Sequence, residues 1–311
     1  MATGLSQDPP PAPALLILGA GALGRLWAGY LGSEGVGLVP RRPDRSGLCR
    51  YRLQTADGHV RPIEAPWHWP HPDHPPTLLL VTTKAQDTLP ALADLLVEIP
   101  VSVPVVLFQN GMGSQQLVAR TYPGRPILAA STTEGANCPD PDTVIHAGHG
   151  ETWVGPLTAA GQACSSWVVE RLKASGLELH EEADIQARLL RKVAVNAGIN
   201  PFTALLDCRN GDILGRPFYR KHIDELCREI AKLMASLGLP QDPEALRNQI
   251  ETVARRTADN TSSMLSDVRN RRPTEIDFIN GWIADQCEAR NLPAPVNRML
   301  TERVKAISST Q

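Results

Sequence analysis

No run of apolar residues in the sequence approaches the 18 or so that a membrane span requires, so no membrane-embedded role is expected. Neither charge dominates. Lys and Arg number 31 against 33 Asp and Glu, a formal charge of −2. That balance argues against a general nucleic-acid binder, whose affinity rests on clustered cations, and gives no polybasic surface for a membrane. Cysteines are present but unpatterned: Cys49, Cys138, Cys164, Cys208, Cys227 and Cys287 contain no C-x-x-C spacing. They read as free thiols of a reducing compartment. The first thirteen residues, Met1–Pro13, are proline-rich and lack a positive n-region, which reads as a disordered lead-in rather than a secretory signal. No internal repeat is apparent. A soluble, cytoplasmic protein is expected.

What is present is ordinary globular composition, 42% hydrophobic and 21% charged, in a chain of 311 residues that is comfortable for two domains. The texture changes partway along. From Ala14 to about His180, β-type runs alternate with helical stretches: Ala14–Leu18, Val36–Val39, Thr77–Thr82, Val103–Phe108, Ile127–Ala130, Thr143–His146 and Thr152–Val154. Continuous apolar runs such as Leu78–Val81 fit strands covered on both faces, as in a parallel sheet. From about Glu182 the pattern is helical, with Gly211, Gly215 and Gly238-Leu239-Pro240 as breaks. The fold class is therefore α/β: a Rossmann-type dinucleotide-binding domain over residues 14–181, followed by an all-helical domain over 182–311. Pro62–Pro76 carries six prolines, three histidines and two tryptophans. His68, His71 and His74 recur every third residue, the period of polyproline II, and could share a face; an exposed connecting loop without chemistry is the favoured reading. His146 and His149 flank a glycine turn with no third ligand nearby in sequence.

Strand Ala14–Leu18 runs directly into Gly19-Ala20-Gly21-Ala22-Leu23-Gly24 and then a helix. A bare G-x-G-x-x-G is weak evidence, but strand before and helix after are the context it needs. Gly19 suits the tight turn, Gly21 lets backbone approach a pyrophosphate, and Gly24 permits close helix–strand packing. The helix N-terminus then offers N–H groups to the phosphates. The next strand ends in Leu38-Val39-Pro40-Arg41-Arg42 with no carboxylate before Asp44. An NAD site usually places an acid there, whereas guanidinium groups suit a 2′-phosphate. NADPH is the expected cofactor, with Arg41 and Arg42 both candidates. Lys84 and Asn110-Gly111-Met112-Gly113 follow later strands at their carboxyl ends, where ligands of such sheets bind. Asn-Gly is also a common turn, and the glycine pair would let backbone approach a ligand.

The helical half opens on Lys192, Asn196 and Asn200, four residues apart among Val, Ala and Ile. On a helix these fall within an arc of roughly 80°. A polar line on an apolar helix is either a satisfied buried network or the wall of a site. Further on, Asn260 and Ser263 are three apart and would share a helix face. Glu275, amid Ile276, Phe278 and Ile279, is either a helix-start acid near Arg271 and Arg272 or a site carboxylate.

Taken together, Gly19–Gly24, Thr83-Lys84-Ala85, Asn110–Gly113, Lys192–Pro201, Asn210-Gly211, Ser262–Leu265 and Thr274–Asp277 resemble the ketopantoate reductase (2-dehydropantoate 2-reductase) family. The resemblance runs from Leu16 to about Lys305; it does not extend to Pro62–Pro76 or to the stretch before Ala14. It implies a Rossmann-type domain, a helical domain and an active site in the cleft between them. By position it makes Lys192 the catalytic acid and Glu275 its partner carboxylate, counted with both substrate and cofactor contacts. Asn196, Asn200, Asn210, Asn260 and Ser263 become substrate contacts, and Asn110 touches both nicotinamide and substrate. Gly19, Ala20, Gly21, Ala22, Leu23, Gly24, Arg41, Arg42, Lys84 and Ala136 become cofactor contacts.

The chemistry suits these residue types. Hydride added to a ketone carbon leaves negative charge on oxygen, which a nearby ammonium stabilises and then protonates. Burial would lower the lysine's pKa toward neutrality. No metal is needed. The expected partner is the small molecule ketopantoate, with no nucleic acid and no membrane, and the chain acting as monomer or homodimer. Two rivals stand beside this reading: a reductase of another branched 2-keto acid, and an NADPH-sensing regulatory protein without turnover.

Overall fold

The computed structural model describes residues 13–32 and 35–309. The expected lead-in lies outside them except for Pro13, which is buried. Along the chain to Glu181 come β1 (Leu15–Leu18), α1 (Ala22–Leu31), β2 (Val36–Val39), β3 (Leu48–Gln54), β4 (Val60–Pro66), β5 (Leu78–Val81), α2 (Ala85–Leu95) and β6 (Val105–Leu107). Then follow α3 (Ser114–Thr121), β7 (Ile127–Thr132), β8 (Gly135–Asp140), β9 (Thr143–Gly148), β10 (Glu151–Pro156), α4 (Ala159–Lys173) and β11 (Glu178–Glu181). The chain divides into two compact units. The first runs to Ile185 but leaves out Lys84–Gln86 and Gln109–Leu117, which belong with the second unit, Gln186 onward.

Seven strands of the first unit form one sheet in the order β11-β10-β7-β6-β5-β1-β2. The five from β7 to β2 are parallel, as the buried runs imply. At the other edge β10 runs antiparallel to β7, and β11 parallels β10. Period-2 alternation divides the apolar runs between two cores. Leu15, Ile17, Leu78 and Leu80 pack with Trp27 on one face, while Leu16, Leu18, Leu79 and Val81 pack with Leu92 and Leu95 on the other. Each such buried side chain is worth about 1.5–3 kcal/mol against exposure, which is why these strands carry no polar residue. The order reverses between β1 and β5, and in sheets of this kind the crevice outside the strand ends at that point is where ligands lie.

A second sheet, β4-β3-β9-β8, corrects the reading of Pro62–Pro76 as an exposed loop. Its first five residues belong to β4, with Pro62 opposite Arg52 and Pro66 opposite Leu48. Because β4 is an edge strand, proline's missing N–H costs no ladder bond on the open side. The remainder is also anchored. His68 donates its backbone N–H to the Leu38 carbonyl at 3.0 Å, Trp67 and Trp69 pack on the two cores, and Pro70 and Pro76 are buried. Among the described residues the three histidines form no metal-type group; Glu151, Glu178 and His180 do, the His180 Nε2 lying 3.3 and 3.4 Å from the two carboxylates. His146 is buried in a separate network, its ring nitrogens 2.7 Å from the Tyr30 hydroxyl and 2.6 Å from Glu134.

The second unit's helices are α5 (Ile185–Leu206), α6 (Pro217–Ser236), α7 (Pro243–Arg256), α8 (Ser263–Arg269), α9 (Asn280–Glu288) and α10 (Pro295–Ser309), with 3₁₀ turns at Gly211–Gly215 and Ile276–Phe278. Their starts are marked by Pro217 and Pro243 at first helical positions and by Asp242, whose carboxylate accepts from the Ala245 N–H at 2.8 Å. Gly238, at φ +79°, follows the end of α6 in the left-handed conformation that favours glycine. Among the described residues no helix is long and apolar enough to cross a membrane.

Candidate active site

In the first unit the loop after β1 is built from backbone. Gly19 sits at φ +111°, and a Cβ there would lie 2.7 Å from the Thr83 nitrogen, so only glycine fits. A Cβ on Gly24 would collide with the Gly19 carbonyl, which lets α1 start against the turn. Gly21 differs: nothing lies within 4 Å of where its Cβ would be. It is the N-cap of α1, with no side chain capping the helix. The first-turn N–H groups of a helix lack carbonyl partners, and here no side chain caps them. That combination fits a dinucleotide pyrophosphate. Ala20, Ala22 and Leu23 are half-buried, Leu23 packing inward. Arg41 and Arg42 are exposed just past β2, and Ala136 is half-buried on β8 opposite His146.

The second unit holds the side-chain chemistry. Lys192, Asn196 and Asn200 all lie on α5 and share a face, with Lys192 and Asn196 half-buried and Asn200 buried. Burial pulls the Lys192 pKa down to about 8, and the charge of Glu275 acts in the opposite direction. Glu275 precedes the Ile276–Phe278 turn. Its carboxylate accepts from the Ala85 N–H at 3.1 Å and from the Asn110 side chain. Burial raises its pKa, opposed by those bonds and by Lys84. Lys84 in turn pairs with Asp267 at 2.8 Å and donates to the Pro273 carbonyl at 2.5 Å. Sequence reasoning gives Asp267 no role, although it is nearly buried and holds the Lys84 ammonium.

The Asn110–Gly113 turn corrects one expectation. Gly111, at φ +86°, would push a Cβ into the Phe278 backbone, and the Met112 N–H donates to the Phe278 carbonyl at 2.8 Å. The close approach that Gly111 permits is to the segment carrying Glu275. Asn110 and Glu275, 165 positions apart, are therefore held by backbone as well as by their own bond.

Asn260 and Ser263 do not share a helix face. Asn260 is exposed in the turn before α8, whereas Ser263 is its first residue, also exposed. The cap is Ser262, whose hydroxyl accepts from the Leu265 N–H at 3.1 Å and bonds Thr203 at 2.7 Å. Thr203 donates to the Asn200 carbonyl at 2.8 Å, so Ser263 and Asn200 are tied through a serine and a threonine that sequence reasoning leaves out. Asn210 donates its amide to Thr257 at 2.9 Å and its backbone N–H to the Asn260 carbonyl at 3.1 Å. Its Oδ1 is buried without a protein partner among the described residues, an acceptor that a ligand hydroxyl could satisfy.

Comparison with known proteins matches both halves of the chain to one family. Residues 15–159 match the family described as Ketopantoate reductase PanE/ApbA, and residues 184–308 match Ketopantoate reductase PanE/ApbA C terminal. A 2-dehydropantoate 2-reductase of Vibrio cholerae is 33% identical over 95% of this chain and 98% of its own. A PanE/ApbA family ketopantoate reductase from Ralstonia eutropha superposes with a TM-score of 0.83 at 22% identity, covering 95% of this chain and 98% of that one. A D-mandelate dehydrogenase in ternary complex with NADH and anilino(oxo)acetate gives 0.84 at 23%, again over 95% and 98%. At those identities the structural likeness is one of fold, while the family matches span most of the chain. The chain belongs to the ketopantoate reductase family of oxidoreductases.

Proposed function

We propose that this protein reduces 2-dehydropantoate to (R)-pantoate with NADPH, residues 14–181 holding the cofactor and residues 182–311 the keto acid and its proton donor. The observation that carries the reading is a half-buried lysine, its pKa brought down to about 8, followed by two asparagines on the same face of one apolar helix. A solvated surface lysine would not be so shifted, and a purely structural network would not need a group able to titrate near neutrality. The six cysteines, all free, support a reducing compartment such as the cytoplasm.

The reduced nicotinamide, when bound, supplies a hydride to the ketone carbon. Gly19–Gly24 and the first turn of α1 would hold the pyrophosphate, and Arg41 or Arg42 the 2′-phosphate, the absence of an acid at the end of β2 favouring NADPH over NADH. Lys192, as ammonium, stabilises the charge that grows on the ketone oxygen and delivers its proton there, ending neutral. Asn196 and Asn200 orient the substrate's hydroxyl and carboxylate groups, with Ser263, Asn210 and Asn260 as further contacts. Glu275, steadied by Ala85 and Asn110, accepts from a substrate hydroxyl and supports the charge on Lys192.

The test is oxidation of NADPH with ketopantoate and then with ketoisovalerate. Ketopantoate offers a hydroxyl to the asparagine row and ketoisovalerate does not. A kcat/KM at least about a hundredfold higher for ketopantoate is expected, because a site built to bond a hydroxyl rejects the analogue lacking it. Preference for ketoisovalerate would move the assignment to another branched 2-keto acid, and absence of turnover with any 2-keto acid would favour the NADPH-sensing reading.

A further inference from the structure

The helix bearing Lys192, Asn196 and Asn200 has a proline inside it. Pro201 has no N–H, so the carbonyl of Ala197 loses the donor that residue 201 would otherwise supply. That carbonyl lies between Asn196 and Asn200 in sequence. It is nonetheless bonded: Nδ2 of Asn280 donates to it at 3.2 Å. The same nitrogen donates to Oδ1 of Asn297 at 3.0 Å. Asn297 donates its own amide to Glu229 at 2.7 Å, and Glu229 accepts the backbone N–H groups of Val296 and Asn297 at 2.8 and 3.0 Å in the first turn of α10. Asn280, Asn297 and Glu229 are all at most 1% exposed.

The orientation of the Asn280 amide follows from these partners. Both neighbours of Nδ2 are acceptors, so a flipped amide would set oxygen against oxygen twice. The bond has a cost: Oδ1 of Asn280 is buried with no partner among the described residues. Leaving such an acceptor unsatisfied is unfavourable, so an aliphatic residue would suit this place unless the donor were needed. Asn280 also begins α9 directly after the turn that Glu275 opens.

We infer that Asn280 is a positioning residue for the keto-acid site: it replaces the hydrogen bond Pro201 removes and fastens the middle of the asparagine row on α5 to the segment that carries Glu275. The inference rests on the reading that Lys192 and Glu275 act on the keto acid. Asn280 touches none of the reacting atoms and acts through the helix position it holds.

A cycle of Asn280→Ala, Pro201→Ala and the double variant in the full-length protein tests this. Asn280→Ala is expected to raise KM for ketopantoate about tenfold, lower kcat less, and change the Kd for NADPH by under about twofold. Pro201→Ala returns an N–H to the Ala197 carbonyl, so in that background Asn280→Ala should cost only about twofold in KM, and its loss of Tm should shrink likewise. Equal losses in both backgrounds would overturn the proposal. So would a fall in kcat, substrate affinity and NADPH affinity in common proportion, which is the mark of general loosening. If Asn280→Ala does not fold, Asn280→Ser, which keeps a shorter donor, should show the same pattern more weakly and the same rescue by Pro201→Ala; failure of that rescue overturns the proposal. Absence of ketopantoate turnover in the unaltered protein would refute the functional reading, whereas the coupling of positions 201 and 280 in Tm reads the bond independently of it.

Discussion

The glycine loop after β1 and the polar row on α5, the two parts of the proposed site, are made in opposite ways. In the loop the useful groups are backbone N–H donors, and the side chains are absent so that the turn can close and a ligand can come near. On α5 the useful groups are side chains, and the backbone is an apolar helix that has to be held in place by residues far away in sequence. A backbone site is specified within six consecutive residues, because glycine at Gly19, Gly21 and Gly24 determines what the chain can do there. A side-chain site is specified by its supports as much as by its members. Glu275 depends on Ala85 and Asn110, and Asn200 connects through Thr203 to Ser262. The two sites should therefore fail differently when altered.

Lys192→Ala gives the largest effect expected. Removing a proton donor typically costs about 10²–10⁴-fold in kcat. The glycine loop is untouched, so NADPH affinity by fluorescence titration should change by less than about twofold. Equal losses in turnover and NADPH affinity would show that Lys192 belongs to the cofactor site, and the contrast between the two sites would be wrong.

Within the loop, two glycines separate fold from binding. Gly24→Ala drives a methyl into the Gly19 carbonyl and should destabilise the protein by about 1–3 kcal/mol, read as a lower Tm. Gly21→Ala meets open space, so Tm should hardly move, while the Kd for NADPH rises about tenfold because the methyl occupies the pyrophosphate's approach. Unchanged NADPH affinity in Gly21→Ala would remove the loop from the cofactor site.

The same contrast explains what could be read from sequence. The parallel strands β1, β2, β5, β6 and β7 were legible because burial on both faces leaves apolar runs, and the glycine loop because its geometry is local. Strand β11, reading Glu178-Leu179-His180-Glu181 with both ends exposed, carries no such run. The pairing of Gly111 with Phe278 was not legible, since a glycine tolerating a neighbour's backbone looks like one tolerating a ligand. Nor was β4, where Pro62 and Pro66 read as loop residues unless it is known that the strand is an edge. Asp267 carried no signal, because one acid in a helix says nothing of the lysine it will hold. Asn260 shows the reverse: its three-residue spacing from Ser263 suggests a shared helix face, but the cap, Ser262, lies two residues beyond it.

A smaller effect concerns the cofactor's phosphate. Arg41→Ala and Arg42→Ala should each be measured for the ratio of kcat/KM with NADPH to that with NADH. The arginine that binds the 2′-phosphate should lose about 10–100-fold in that ratio, the worth of one or two charge-assisted bonds, with the other changing little. If neither changes it, the backbone loop alone determines cofactor use.

The smallest effect is the most discriminating for α5. On the proposed mechanism Lys192 acts as the ammonium, so kcat/KM should fall as pH rises through about 8. Glu275's charge holds that value up against burial, so Glu275→Gln should move the falling limb to lower pH, whatever it does to the maximal rate. A limb that stayed or moved upward would mean that another group titrates. Stability supplies an independent check of the same lysine. Its unfolded pKa is about 10.4, so between about 8 and 10.4 the unfolded chain binds more protons than the folded one, and stability gained from this group rises with pH across that window. Below about pH 8 both states carry the proton and the burial penalty is fully present. Lys192→Met should therefore raise Tm at pH 7 relative to the unaltered protein, with the advantage shrinking toward pH 10. The residue expected to matter most for turnover would then be one whose presence weakens the fold, as expected when a charge is kept where burial opposes it.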